Sequence, residues 1–153
     1  MPAAGDVLHY ENFTFDNGHV QNKFFIVLHG NPCLMIITTS QSLRYPMVDT
    51  LGCNPDKFTF YFPARYHTVF TKPTYLAMQK IYELSRSKAH ELMAQKVITK
   101  KTPLTPKILL AVKECLKHFR DDIADEHWNV IFTPNAASAS ALESLASKFN
   151  RRR

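Results

Sequence analysis

Turn-forming residues divide the first third of this chain into short apolar runs, and this spacing limits the folds that the chain can form. Asp-Asn-Gly at residues 16–18 and Gly-Asn-Pro at residues 30–32 tolerate the backbone of a tight turn. The runs beside them, at residues 7–15, 24–28 and 33–39, are apolar or rich in β-branched residues, as β-strands are. Short strands that follow one another through tight turns predict an antiparallel β-structure.

A further strand is predicted from Phe58 to Phe62, where phenylalanine alternates with Thr59 and Tyr61. This is the clearest two-residue period in the chain. The segment from residue 75 to residue 84 fits a strand or a helix equally well on periodicity alone. We therefore expect a small antiparallel β-barrel whose strands lie within about residues 5–84.

Helical patterns dominate the second half of the chain. Thr105 followed by Pro106 is typical of a helix start, and the apolar stripe behind it predicts a helix over residues 105–123. A second helix is predicted over residues 85–95, capped by Ser85 or Ser87. The 153 residues match one domain of about 150, so we expect a single α+β domain. A C-terminal tail follows from about residue 125, with a possible last helix at residues 138–149.

Positive charge is concentrated in the middle of the chain. Residues 65–120 contain twelve Lys or Arg and three Glu, a net charge of +9, whereas the segments before and after it carry −2 and −1. Lys and Arg bind nucleic acid by releasing the counterions condensed on its phosphates, so this block predicts a phosphate-bearing partner. A solvated basic face that only keeps the protein dissolved is the alternative interpretation.

The cysteines and histidines give no sign of a metal site or a cofactor. Cys33, Cys53 and Cys115 lie far apart without a Cys-x-x-Cys pair, and we expect them to be buried or idle thiols. No histidine pair has the spacing of zinc ligands on a helix. The sequence also shows neither a signal peptide nor a run long enough to cross a membrane, which predicts a cytoplasmic protein without membrane contact.

Polar residues cluster beside two predicted turns, where strand-end loops commonly carry functional sites. His19 to Lys23 lie in the first of these loops, and a Thr- and Ser-rich stretch from Thr38 to Tyr45 follows the third strand. A Thr-Thr-Ser run taken alone more often forms a hydrogen-bonded turn than a site. Motifs of serine hydrolases, phosphate-binding loops and zinc proteases are absent from the sequence.

Several short segments of this sequence occur in the order in which a known protein family has similar segments. Gly-Asp-Val-Leu at residues 5–8, Asn22-Lys23 before the strand at 26–28, and Ile-Thr-Thr-Ser-Gln-Ser at residues 37–42 with Tyr45-Pro46 behind it resemble the PemK/MazF-like endoribonuclease toxins of bacterial toxin–antitoxin pairs. The predicted helix over residues 105–123 is similar to the closing helix of that family. The resemblance covers about 45 N-terminal residues and, weakly, this helix.

The resemblance implies an SH3-like barrel that is usually a homodimer, partnered by an antitoxin protein. It also implies metal-independent cleavage of single-stranded RNA to a 2′,3′-cyclic phosphate and a 5′-hydroxyl. The family's catalytic residues fall on Lys23 and Thr38, although the family generally has Arg followed by Pro where Lys23 precedes Phe24. Candidate RNA-binding residues are His19, Asn22, Thr39, Ser40, Arg44, Tyr45, Lys96, Lys100 and Lys101.

The chemistry of RNA cleavage suits these residue types. Attack by the 2′-hydroxyl needs a base, positive charge around the phosphate and a proton for the leaving oxygen, and none of these requires a metal. Lys23 can neutralise the phosphate and Thr38 can donate a hydrogen bond to it, while His19 and His67 are candidate proton shuttles. Candidates for stacking on unpaired bases are Tyr45, Tyr61 and Tyr66.

Three alternatives remain open at the level of the sequence. The first is a barrel of the same fold that has lost catalysis and binds RNA, DNA or a protein. The second is a DNA-reading pair of helices, formed by residues 85–95 and 105–120. The third is an interaction module whose groove receives a peptide.

Overall fold

The computed structural model describes residues 1–40, 45, 48 and 50–132 and has a mixed α+β fold, which confirms the predicted class. The described strands are β1 (Val7–Thr14), β2 (Val20–His29), β3 (Cys33–Thr39), β4 (Gly52–Asn54), β5 (Thr59–Phe62), β6 (Thr74–Ala77), β7 (Tyr82–Leu84) and β8 (Ile98–Lys101). The α-helices are α1 (Arg86–Ala94), α2 (Pro106–Leu116) and α3 (Asp125–Phe132), and 3-10 turns span Pro55–Lys57 and Lys117–Asp122.

The strands form one antiparallel sheet in the order β4-β5-β6-β3-β2-β1-β8. One edge of β3 pairs with two strands in succession, because Cys33–Met35 face β7 and Thr38–Thr39 face β6. The edge of β3 that faces away from β2 is thus shared by β6 and β7. The strands at its two ends, β4 and β8, are not paired with each other in the part of the chain that the structure describes, so the sheet is not closed there.

Strand β3 is buried along its whole length because core packs against both of its faces. Leu34 and Ile36 belong to the cluster that contains residues of α2 and α3. Met35 and Ile37 belong to a second cluster, which contains residues of α1 and β8. A strand covered on both faces reads as a continuous apolar run rather than as an alternation, which is the pattern of residues 33–37.

Both predicted helices of the second half are confirmed, together with their caps. The Ser85 hydroxyl accepts a hydrogen bond from the Lys88 N–H at 3.1 Å, and the Thr105 hydroxyl accepts one from the Ile108 N–H at 3.3 Å. Helix α2 ends at Leu116, and a 3-10 turn continues the predicted helix to residue 122. Among the described helices, none has the length and apolar character needed to span a bilayer.

Strand β4 was not predicted individually from the sequence, and two elements, β8 and α3, lie outside the segments expected to form strands or helices. Strand β8 pairs with β1 beyond the predicted end of the barrel strands, and only Ile98 of its four residues is buried. Helix α3 begins the segment that was expected to be a tail, and Ile131 packs in the core. The ambiguous segment at residues 75–84 forms most of β6 and all of β7, whereas the expected helix at residues 138–149 lies outside the described residues.

The prediction that all three cysteines are buried or idle thiols is wrong for two of them. Cys53 on β4 and Cys115 on α2 form a disulfide, with Cα atoms 5.4 Å apart. Cys33 is a buried thiol, as predicted. Burial raises the pKa of Cys33 to about 11, and the charge of Asp6 adds to this shift. The fold thus brings together two cysteines that the sequence separates by 62 positions.

Candidate functional site

Two adjoining cavities open where β2 begins and β3 ends. The larger has a volume of about 640 Å³ and the smaller about 200 Å³. Lys23, Thr38 and Thr39 line both of them, so these three residues form a shared wall between the cavities. The two positions that the resemblance makes catalytic, Lys23 and Thr38, therefore lie together in the fold.

The shared wall follows from the antiparallel register of β2 and β3. Phe25 pairs with Ile37, so the same register, continued by two residues, brings Lys23 beside Thr39. Side chains two residues apart on a strand share a face, which places Gln21 next to Lys23 in the larger cavity. Residues 21–23 were expected in a loop. They lie instead in β2, where Lys23 pairs with Tyr10 of β1.

The hydroxyl of Thr38 is directed to the main chain. It donates a hydrogen bond to the Phe24 carbonyl at 3.0 Å, and the residue is 5% exposed. Ser40, the next hydroxyl along the wall after Thr39, is exposed and lines the smaller cavity. Asn22 also lines the smaller cavity, and its side-chain oxygen accepts a hydrogen bond from the Asn12 N–H at 2.9 Å.

The larger cavity combines positive charge with aromatic rings. Lys57 and Lys80 join Lys23 in its lining, and no acidic side chain lines it among the described residues. The Lys80 amine lies 3.1 Å from the Asp16 carboxylate and 4.7 Å from the centre of the Tyr82 ring. The hydrogen bond that the Lys80 amine donates to Asp16 raises the pKa of Lys80, and this side chain is cationic at neutral pH. The aromatic residues that line the larger cavity are Phe15, Tyr45, Phe58 and Tyr82.

The two candidate proton shuttles have different surroundings. His19 lies in the β1–β2 turn and lines the larger cavity. His67 lines neither cavity, and its Nδ1 accepts a hydrogen bond from the Val69 N–H at 3.2 Å. In a neutral ring the proton is then on Nε2, which lies 3.2 Å from the Pro103 carbonyl. His67 thereby anchors the β5–β6 loop to the segment before α2, which is a structural role.

Lys96, Lys100 and Lys101, three of the basic residues expected to bind RNA, lie away from the two cavities. Lys96 lies in the turn before β8, while Lys100 and Lys101 lie on β8 itself, which is an edge strand of the sheet. None of the three lines either cavity. The Lys100 amine forms an ion pair with the Asp6 carboxylate at 3.3 Å. Arg44 lies outside the described residues.

The tyrosines proposed for base stacking are mostly buried. Tyr45 and Tyr61 pack against Tyr75 in a small cluster, with the Tyr45 and Tyr75 rings stacked 5.0 Å apart. Tyr45 nevertheless contributes to the lining of the larger cavity. Tyr66 is exposed but lines neither cavity.

The sequence did not indicate Phe58 as a residue of the larger cavity, which it lines. It was expected in a strand, but β5 begins at Thr59 and Phe58 lies in the turn before it, with φ 59°. All four residues of β5 are buried, whereas Phe58 is exposed. The Asn-Pro-Asp sequence at residues 54–56 is the signal that could have identified this turn.

No protein-family profile matches this chain, and no curated protein shows significant sequence similarity to it. Its function is therefore inferred from the cleft.

Proposed function

We propose that this protein cleaves single-stranded RNA at the shared wall, without a metal ion, in the manner of the PemK/MazF-like toxins that its N-terminal sequence resembles. The observation that carries the proposal is that Lys23 and Thr38 line both cavities. An RNA strand that crosses the wall would place one nucleotide in each cavity and the phosphate between them beside Lys23.

The cleavage step removes a proton from the 2′-hydroxyl, forms a bond from the 2′-oxygen to phosphorus, breaks the bond from phosphorus to the 5′-oxygen and adds a proton to that oxygen. The 2′-oxygen attacks the phosphorus, a cyclic phosphate forms, and the 5′-oxygen leaves and takes up a proton. The Lys23 ammonium stabilises the negative charge that develops on the phosphate in the transition state. We expect this stabilisation to be the largest single contribution to the rate of cleavage. His19 is the imidazole in the larger cavity and takes the proton of the 2′-hydroxyl, while solvent supplies the proton for the 5′-oxygen.

The hydroxyl groups of Thr38 and Ser40 have different roles in this proposal, and the role of Thr38 differs from the one expected from the sequence. The proton of Thr38 is already donated to Phe24, so Thr38 acts as a positioning residue that fixes β2 against β3. Ser40 is exposed in the smaller cavity and is the hydroxyl that donates to a non-bridging phosphate oxygen.

The same resemblance supplies the biological setting of the proposal. The protein would act in the cytoplasm as the toxin of a toxin–antitoxin pair, as a homodimer with an SH3-like barrel that its antitoxin covers. The cytoplasm keeps thiols reduced, so the Cys53–Cys115 disulfide would be open there. Activity is therefore to be measured in the presence of a reductant.

End-labelled single-stranded RNA tests the proposed reaction. We expect the reduced protein to cleave it equally well with and without excess EDTA, leaving a 2′,3′-cyclic phosphate and a 5′-hydroxyl. Phosphatase and kinase treatment of the products identifies these ends. Activity that disappears on chelation and returns with magnesium or zinc would contradict the mechanism.

A second candidate function is binding without catalysis by a barrel of the same kind. Two observations favour it: the Thr38 hydroxyl is engaged by Phe24, and Lys23 lacks the planar fork with which Arg grips a phosphate. This candidate predicts saturable RNA binding and intact RNA after long incubation. The DNA-reading pair of helices is disfavoured, because β8 separates α1 from α2 where a helix-turn-helix has only a tight turn.

A further inference from the structure

Phe58 stands out among the residues of the larger cavity because its backbone is strained. The described residues with left-handed backbone other than glycine are Asn12, Phe58, Arg65 and Lys96, and Phe58 is the only apolar one. Bulky side chains rarely adopt this conformation, and such strain is concentrated at ligand sites. Two hydrogen bonds hold Phe58 in place: its N–H donates to the Pro55 carbonyl at 3.1 Å, and its carbonyl accepts from the Met78 N–H at 3.4 Å.

The ring of Phe58 is supported by the protein and open to the cavity. Its side chain is 48% exposed and lines the larger cavity. The ring of Phe119, which is buried, lies 6.0 Å away at an interplanar angle of 49°. The turn thus holds a flat apolar surface at the cavity rim, where hydrophobic packing alone would favour burial.

Three lysines line the same cavity as this ring. Lys57, the preceding residue, lines the same cavity, as do Lys23 and Lys80. Lysines attract phosphates and an aromatic face attracts bases, so the combination fits a single-stranded nucleic acid. An apolar peptide would use the ring but would gain nothing from three lysines.

We propose that Phe58 is the stacking platform for one unpaired base of the RNA bound in the larger cavity. The inference rests on the proposed function and adds a substrate requirement to it. Every base has a π-face, so stacking on Phe58 selects unpaired over paired bases and not one base over another. A fully paired duplex cannot offer such a base and should compete poorly.

The test measures binding of a fluorescent single-stranded oligonucleotide with 2′-O-methyl groups, which cannot be cleaved by this mechanism. Phe58→Ala should raise its Kd roughly 5- to 150-fold, the range that corresponds to loss of one base–aromatic stack. Phe58→Tyr should bind within about twofold of wild type, since it keeps the ring. Leu110→Ala is the matched control because Leu110 is an exposed apolar residue that lines neither cavity, and it should leave Kd unchanged.

Phe58→Gly separates loss of the ring from loss of folding. Glycine adopts a φ of 59° without strain, so this variant should unfold no more readily than wild type and should bind RNA as weakly as Phe58→Ala. In the cleavage assay, both variants should raise KM more than they lower kcat, as expected for a contact made with bound substrate and transition state alike.

Two outcomes would overturn the inference, and they are distinguishable. If wild type binds RNA and Phe58→Ala binds it equally well, or if Tyr66→Ala weakens binding instead, the stacking role of Phe58 is wrong while RNA binding stands. If wild type binds no single-stranded RNA, the proposed function fails and the role of Phe58 fails with it.

Discussion

Reduction of the Cys53–Cys115 disulfide is expected to lower the free energy of unfolding by about 4 kcal/mol. The bond closes a loop whose ends are 62 positions apart, and the entropy that such a cross-link removes from the unfolded chain corresponds to about 4 kcal/mol at 25 °C. It joins β4 to α2, and so ties the hairpin that carries Phe58 to the helix that precedes Phe119. A reduced protein should therefore remain folded but be considerably less stable.

Urea unfolding of the oxidised and reduced protein, followed by circular dichroism, measures this difference. With a slope of about 2 kcal/mol per molar urea, the midpoint should fall by about 2 M on reduction. Cys53→Ser should match the reduced protein, because Cys53 is exposed and its replacement disturbs no core packing. Equal midpoints for oxidised and reduced protein would refute the energetic argument, and three titratable thiols without reductant would refute the disulfide itself.

Three further changes test the fold. Thr105→Ala removes the N-cap of α2 and should cost about 1 kcal/mol, whereas Thr105→Ser should restore most of it; equal melting temperatures for all three would contradict the cap. In the reduced protein at pH 8, iodoacetamide should modify Cys53 long before Cys33. The Cys33 thiol is buried, and its pKa of about 11 keeps it protonated. Equal rates of modification, measured by mass spectrometry, would contradict its burial. Gly30→Ala would place a Cβ 2.6 Å from the Pro2 carbonyl oxygen and should cost about 1–3 kcal/mol, a penalty that deletion of the first two residues should relieve.

The helices could be predicted because their signals are local. Ser85 and Thr105 each precede a helix and accept a hydrogen bond from its first turn, and an apolar stripe follows Thr105 within the same segment. Strand β8 could not be predicted in this way. Three of its four residues are polar and none of these three is buried, and it is a strand because β1 supplies its hydrogen bonds.

Periodicity predicted the strand at residues 59–62 but placed its start one residue too early. Alternation of phenylalanine continues through Phe58, although its left-handed backbone ends the pattern there. Lys23 was predicted in a loop although it lies in β2, because the polar end of a strand has the composition of a loop. Only the pairing of Lys23 with Tyr10 shows that the strand includes it.

The candidate site was predictable only in part. The resemblance singled out Lys23 and Thr38, and the antiparallel register of β2 and β3 brings both to the same cavities together with Thr39. Phe58 and Lys80, which also line the larger cavity, come from segments that only the folded sheet brings near. The basic residues of β8 were grouped with the site by net charge, which carries no information about position.

The comparison of wild type with Lys23→Ala in RNA cleavage tests the central claim most directly. The assay uses reduced protein, single-stranded RNA and excess EDTA, with Lys107→Ala as a control because this exposed lysine of α2 lines neither cavity. We expect Lys23→Ala to lower kcat/KM by roughly 100-fold or more, the loss seen when one group that stabilises the transition state is removed. Lys23→Arg should keep or raise activity, because it restores bidentate donors to the phosphate, and Lys107→Ala should leave cleavage unchanged. Equal cleavage by wild type and Lys23→Ala would contradict the claim that RNA is cut at the wall between the two cavities.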